Sequence, residues 1–170
     1  MFQSNWYILS LIALFPLFIG YLWYHPKVFG GKLADQTGVD SNRIGVANNL
    51  KQVLLLYGFG LLLSYMLLVL SVHQVAPHLL FFLEPDMADP NFEGHAFLKN
   101  FLAEWGDRHR SFGHGVIHGA EAGLFWSLAL LGTTAIAEGG TLKKIWIHIG
   151  FWVLTCALMG GTLGAYFAFT

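Results

Sequence analysis

His114, His118 and Glu121 recur at i, i+4 and i+7 in the stretch GHGVIHGAEAG, residues 113–123. On a helix the three positions fall within about 60° of one another, so two imidazoles and a carboxylate share one edge. Imidazole and carboxylate are ligands for zinc, copper or iron. His73, His78, His95 or His109 is available to complete a tetrahedron around a divalent transition metal. The same residues suit a proton or ion pathway, with Glu121 as carrier and His118 as relay. A third reading gives them no chemistry: the histidines sit at an interface, and Glu121 forms one hydrogen-bonded pair that fixes helix register.

The element that carries these groups runs on into FWSLALLGTTAIA, which has no charge. Only 11% of the 170 residues are charged and 55% are hydrophobic, against roughly 25% charged in a soluble domain. That surface is too apolar to hide in a water-soluble fold of this size. The net charge of −1 offers no basic field for nucleic acid. Cys156, the sole cysteine, excludes an intramolecular disulfide and a cysteine zinc cluster and reads as a small buried apolar residue.

Four apolar runs, at about 6–24, 53–76, 114–137 and 145–169, match a bilayer core of about 30 Å at about 1.5 Å per residue. The expected fold is all-α: a single polytopic membrane domain, a bundle of four transmembrane helices. The first run has no basic n-region and no small-x-small site after it, so it reads as a retained span with a kink at Pro16. Trp6, Trp23, Tyr24, Trp105, Trp146 and Tyr166 fall near the span ends as an aromatic belt.

An isolated ionisable group at mid-bilayer costs about 2.5–3.5 kcal/mol on insertion scales. Glu121 is therefore expected to face the bundle interior beside His118, His73 or His78, or to be protonated.

Lys27, Lys32, Arg43, Lys51, Lys143 and Lys144 flank one side, and Lys99, Arg108 and Arg110 the other. This six-to-three split places the first and third loops in the cytoplasm, and both termini and the 77–113 loop on the outer, periplasmic side of a bacterial inner membrane. In that loop Phe97, Leu98, Phe101, Leu102 and Trp105 share one helical face, as in a helix lying on the membrane or docked on a partner. Asp40 or Ser41 is a plausible N-cap for the helix entering the second span. Gly30-Gly31 and Gly38 read as turns, and the glycine pair beside Lys32 lacks the GxxxxGK[ST] phosphate pattern.

FPLFIGYLWYHPKVFGGKLADQTGV, with its Trp23, Tyr24, Pro26, Phe29, Gly30 and Lys32 cluster, resembles the opening signature of the domain-of-unknown-function 1761 family. The last two apolar runs, with their short acidic-glycine-basic connection, are similar to that family's last two helices. The resemblance covers about two thirds of the chain. It implies a small bacterial four-span membrane protein and supplies no chemistry; the long histidine-bearing loop looks like a departure from the family pattern.

Gly115, Gly119 and Gly123 repeat every four residues, as do Gly160 and Gly164, and Gly60 with Ser64 offers a third small surface. Small residues at that spacing let helices approach closely in lipid, so the last two spans are expected to pair tightly. Surplus small-residue surface would serve a homo-oligomer or a larger membrane complex. No G-x-S-x-G, HExxH or dinucleotide fingerprint occurs. The favoured expectation is a non-enzymatic accessory or scaffolding subunit acting through helix–helix contacts. The alternative is a small transporter or metal/proton-binding membrane protein using Glu121 and the neighbouring histidines, and a weaker one is a metal-dependent membrane enzyme.

Overall fold

A computed structural model describes residues 5–40, 44, 47, 49–139, 142 and 145–167. Ser41, Arg43, Lys143, Lys144 and residues 168–169 of the fourth expected span lie outside the described residues. The described residues are helical, without strands: α1 Tyr7–Ile12, α2 Phe15–Trp23, a π-turn Pro26–Gly30, α3 Gly31–Thr37, α4 Leu50–Ser71, α5 Val75–Phe81, α6 Glu93–Trp105, α7 Phe112–Ala137 and α8 Trp146–Tyr166. Helices α4, α7 and α8 are each long and apolar enough to cross a membrane. Tyr7–Trp23 and Pro26–Thr37, bent by 53° at their junction, meet the same test only as a pair.

Two boundaries differ from the sequence expectation. The second apolar run does not continue as one helix to residue 76. Pro77 has no N–H to donate to the carbonyl of His73, and its ring would clash there. Helix α4 stops at Ser71, Val72 is extended at φ −118° and ψ 96°, and α5 restarts at Val75. The N-cap of α4 is Asn49, whose side chain accepts from the Gln52 amide at 3.0 Å, and not Asp40 or Ser41. The kink expected at Pro16 takes the form of a break at Ala13-Leu14, with Pro16 in the first turn of α2. Gly30 and Gly31 are not a turn: both are helical, and a methyl group on Gly30 would meet the carbonyl of Tyr24. Gly38 ends α3 in the left-handed region at φ 71°.

The most extensive packing joins α7 to α8. Their backbones touch through Gly115, Gly119 and Gly123 on one side and Gly160 and Gly164 on the other. A methyl on Gly160 would lie 2.5 Å from the Gly115 oxygen, and one on Gly123 2.6 Å from the Trp152 oxygen. One on Gly119 would overlap the Cys156 carbonyl outright. Gly60 of α4 sits in the same way against the carbonyl of Ala13, at the break between α1 and α2. Ile8, Ile12, Leu67, Leu68, Met159 and Leu163 belong to the main core, and Cys156 is buried there as an apolar residue.

Residues 5 and 167 lie at the same end of the molecule as the α4–α5 break and the start of α7. Asn5 donates to the Tyr166 carbonyl at 2.6 Å and Arg110 to the Phe167 carbonyl at 2.9 Å, while Trp6 packs edge-on to Phe167.

Candidate metal centre

The break after Ser71 frees His73 from helical geometry at the level where α7 begins. Ser111 fixes that beginning as N-cap, its hydroxyl accepting from the His114 amide at 3.2 Å. One turn further on, His118 lies on the same edge of α7. The Nε2 atom of His114 is 2.9 Å from that of His73 and 3.0 Å from that of His118. One ligand atom from each of the three rings lies within 4.8 Å of the others. The rings stand edge to face: 86° between His73 and His118, and 88° between His114 and His118. His118 turns its Nδ1 to the Glu121 carboxylate, 3.5 Å away.

Proton counting shows what this arrangement requires. A neutral imidazole carries one N–H. For His114 Nε2 to accept from both neighbours, His73 and His118 must each hold their proton on Nε2. The bare Nδ1 of His118 then faces the Glu121 carboxylate, acceptor against acceptor. Moving the His118 proton to Nδ1 satisfies Glu121 and leaves a clash of lone pairs while His114 Nε2 stays bare. Three neutral rings meet every contact when the His114 proton sits on Nε2 and is shared between bare Nε2 atoms of His73 and His118, with the His118 proton on Nδ1 facing Glu121. A cation held between three bare Nε2 atoms would take the place of that one shared proton.

A metal ion fits the distances. Two nitrogens bound to zinc at about 2.0–2.1 Å across a tetrahedral angle are roughly 3.3 Å apart. The two close pairs need to open only slightly, and one ligand atom from every ring already lies within 4.8 Å of the others. Glu121 then accepts from Nδ1–H of a ligating histidine, the outer carboxylate that orients such rings and raises their basicity. Desolvation, and secondarily the imidazoles of His118, His114 and His109, lower the His73 pKa below its ordinary 6.5, which keeps this ligand neutral and able to bind metal.

His114 and His118 of the sequence-derived set are brought together. Glu121 is beside them but not among the converging ligand atoms, and its side chain is 58% exposed, so it does not face the bundle interior. Its neighbour is His118, not His73 or His78. Of the four candidate completing histidines, His73 joins the cluster. His109, at a left-handed φ of 59°, stacks its ring on His114 at 5.2 Å. His78 turns to the Gln74 carbonyl at 2.7 Å, and His95 to that of Met87 at 3.1 Å.

A second polar arrangement, unforeseen as a pair, lies at the opposite end. Tyr24 Oη and His148 Nδ1 are 2.9 Å apart, and Trp23 Nε1 donates to the Ile147 carbonyl at 3.0 Å. Both residues belong to the WYHP element, and Phe29 packs on Trp23 at 4.4 Å. The available signal was aromatic residues with polar tips at a span end, which also describes an ordinary membrane belt.

An all-helical chain with several membrane-length apolar helices and a histidine cluster at one end defines a broad class. Within it, the chain belongs to the family described as "Protein of unknown function (DUF1761)", which matches residues 8–164. The match covers nearly the whole chain, more than the two thirds expected, and runs through the histidine-bearing 77–113 loop. No curated protein and no solved structure matches the chain.

Proposed function

We propose that this chain is a metal-binding integral membrane protein in which His73, His114 and His118 hold one divalent transition metal, with Glu121 orienting His118. The observation that carries the reading is the gathering of three imidazoles, with His114 Nε2 2.9 Å from that of His73 and 3.0 Å from that of His118 and one ligand atom of each ring within 4.8 Å of the others. The chain crosses the bacterial inner membrane four times as a helix bundle, with Tyr7–Trp23 as the first span and Pro26–Thr37 bent away from it at the cytoplasmic face. The metal centre, both termini and the segment containing α5 and α6 face the periplasm. The excess of basic residues on the other loops supports that orientation. Three protein ligands leave a coordination position open, the pattern of sites that exchange or act on something rather than merely brace a fold.

The accessory-subunit reading looked to small-residue surface left over from the α7–α8 contact, which takes up Gly115, Gly119, Gly123, Gly160 and Gly164 as expected. The His118–Glu121 contact favours a second reading, a proton site in which His118 is doubly protonated. Elemental analysis of the purified protein separates the two. About one equivalent of metal in the wild type and none in a His114→Ala/His118→Ala double variant is the expected result. Metal-free wild type after loading and desalting, together with a proton flux in liposomes abolished by Glu121→Gln, would favour the proton site.

A further inference from the structure

Adjoining the histidine cluster is a pocket of about 550 Å³ formed by α5, α6 and the turn before α7. His73 and His109 form part of its wall, so a metal on His73 would stand at its edge. The remaining wall divides by chemistry. Pro77, Leu80, Phe101 and Leu102 make an apolar side. Arg108, its guanidinium 3.6 Å from the centre of the Trp105 ring, supplies a cation. Gln74 is 7% exposed; its amide nitrogen donates to the Gly106 carbonyl, and its buried Oε1 has no hydrogen-bond partner among the described residues. An unpartnered buried acceptor is costly, and Gln74 is one of the residues that line the pocket. On the pocket wall, Leu80 is 76% and Phe101 39% exposed, apolar surface that lipid would cover.

These features specify one ligand chemistry. We propose that the pocket binds an anionic amphiphile: the chain lies along α5 and α6, and the anion sits at Arg108, in the pocket that His73 helps to wall. This rests on the metal-binding reading and names the ligand class of that same centre. The chain arrives from the bilayer, because α5 and α6 present apolar side chains beside the pocket and the anion alone would leave that wall unused. The size is within the roughly 300–1,000 Å³ of ordinary ligand pockets.

The test uses the full chain in phosphatidylcholine nanodiscs, zinc-loaded and zinc-free, with a phosphatidylglycerol carrying a photoreactive acyl chain, and adducts mapped by mass spectrometry. Labelling is expected to concentrate on 77–80 and 101–105. It should be competed by phosphatidylglycerol but not by added phosphatidylcholine, rise at least threefold with zinc, and fall about tenfold in Arg108→Gln. Labelling spread along the exposed residues of α4 with no focus, in a protein that retains zinc, would overturn this inference alone. Equal competition by water-soluble glycerol phosphate would overturn it too, by making the site one for a free anion. Failure of the wild type to bind zinc would overturn the reading beneath it.

Discussion

The two ends of the α7–α8 pair use histidine in opposite ways. At one end three imidazoles from two separate segments turn Nε2 atoms toward each other, with a carboxylate behind one of them. At the other, His148 meets a single phenol, Tyr24, whose ring also packs on Phe151. A phenol–imidazole pair is complete with neutral groups: one donor meets one acceptor. Three neutral imidazoles share a single proton among three Nε2 atoms, and those lone pairs are what the proposed cation would take up. The lesson is that the role of a histidine is read from what its second nitrogen faces, not from its place at a membrane boundary.

The strongest way to break the comparison is to remove the seam that holds both ends in register. Gly119→Leu places a side chain into the Cys156 carbonyl. It should destabilise the protein by about 3 kcal/mol or more and disrupt both ends together, read as a lowered Tm in detergent. A methyl group on Gly58 of α4 meets nothing within 4 Å, so Gly58→Ala should instead be neutral or add up to about 1 kcal/mol. Next in size, His114→Ala removes the ring that touches both partners. Metal content should fall from about one equivalent to none, while His148→Ala should leave it unchanged. Glu121→Gln tests the outer carboxylate and should weaken metal affinity by about 10–100-fold in competition with a chelator, without lowering the stability of the metal-free protein. The smallest effect belongs to the other end. Tyr24→Phe should cost about 1 kcal/mol of stability by chemical denaturation and leave metal affinity untouched.

Much of the architecture was legible because lipid imposes it. Long apolar runs with charged flanks declare helices of membrane length, and glycines four apart declared the α7–α8 contact through their spacing alone. The break at Val72–Gln74 escaped the hydropathy reading because Val72, Val75 and Ala76 continue the apolar run. Only the missing N–H of Pro77 betrays it. That one oversight also hid which histidine completes the cluster, since a continuous helix would hold His73 in helical register with its neighbours. Glu121 was misplaced by a sound general rule, that buried ionisable groups face a bundle's interior. Here the carboxylate is exposed, with His118 beside it, and does not face the interior. The Tyr24–His148 pair joins residues 124 apart in sequence, and no local pattern records such a meeting.

The central claim is that one metal ion is held by three imidazoles. X-ray absorption on the cobalt- or zinc-loaded full-length protein tests it most directly, because imidazole rings scatter with a recognisable outer-shell pattern. Three imidazole nitrogens at about 2.0–2.1 Å, with one further oxygen, is the result this account predicts. A first shell with one imidazole or none, or metal bound equally well once His73, His114 and His118 are all replaced by alanine, would contradict it.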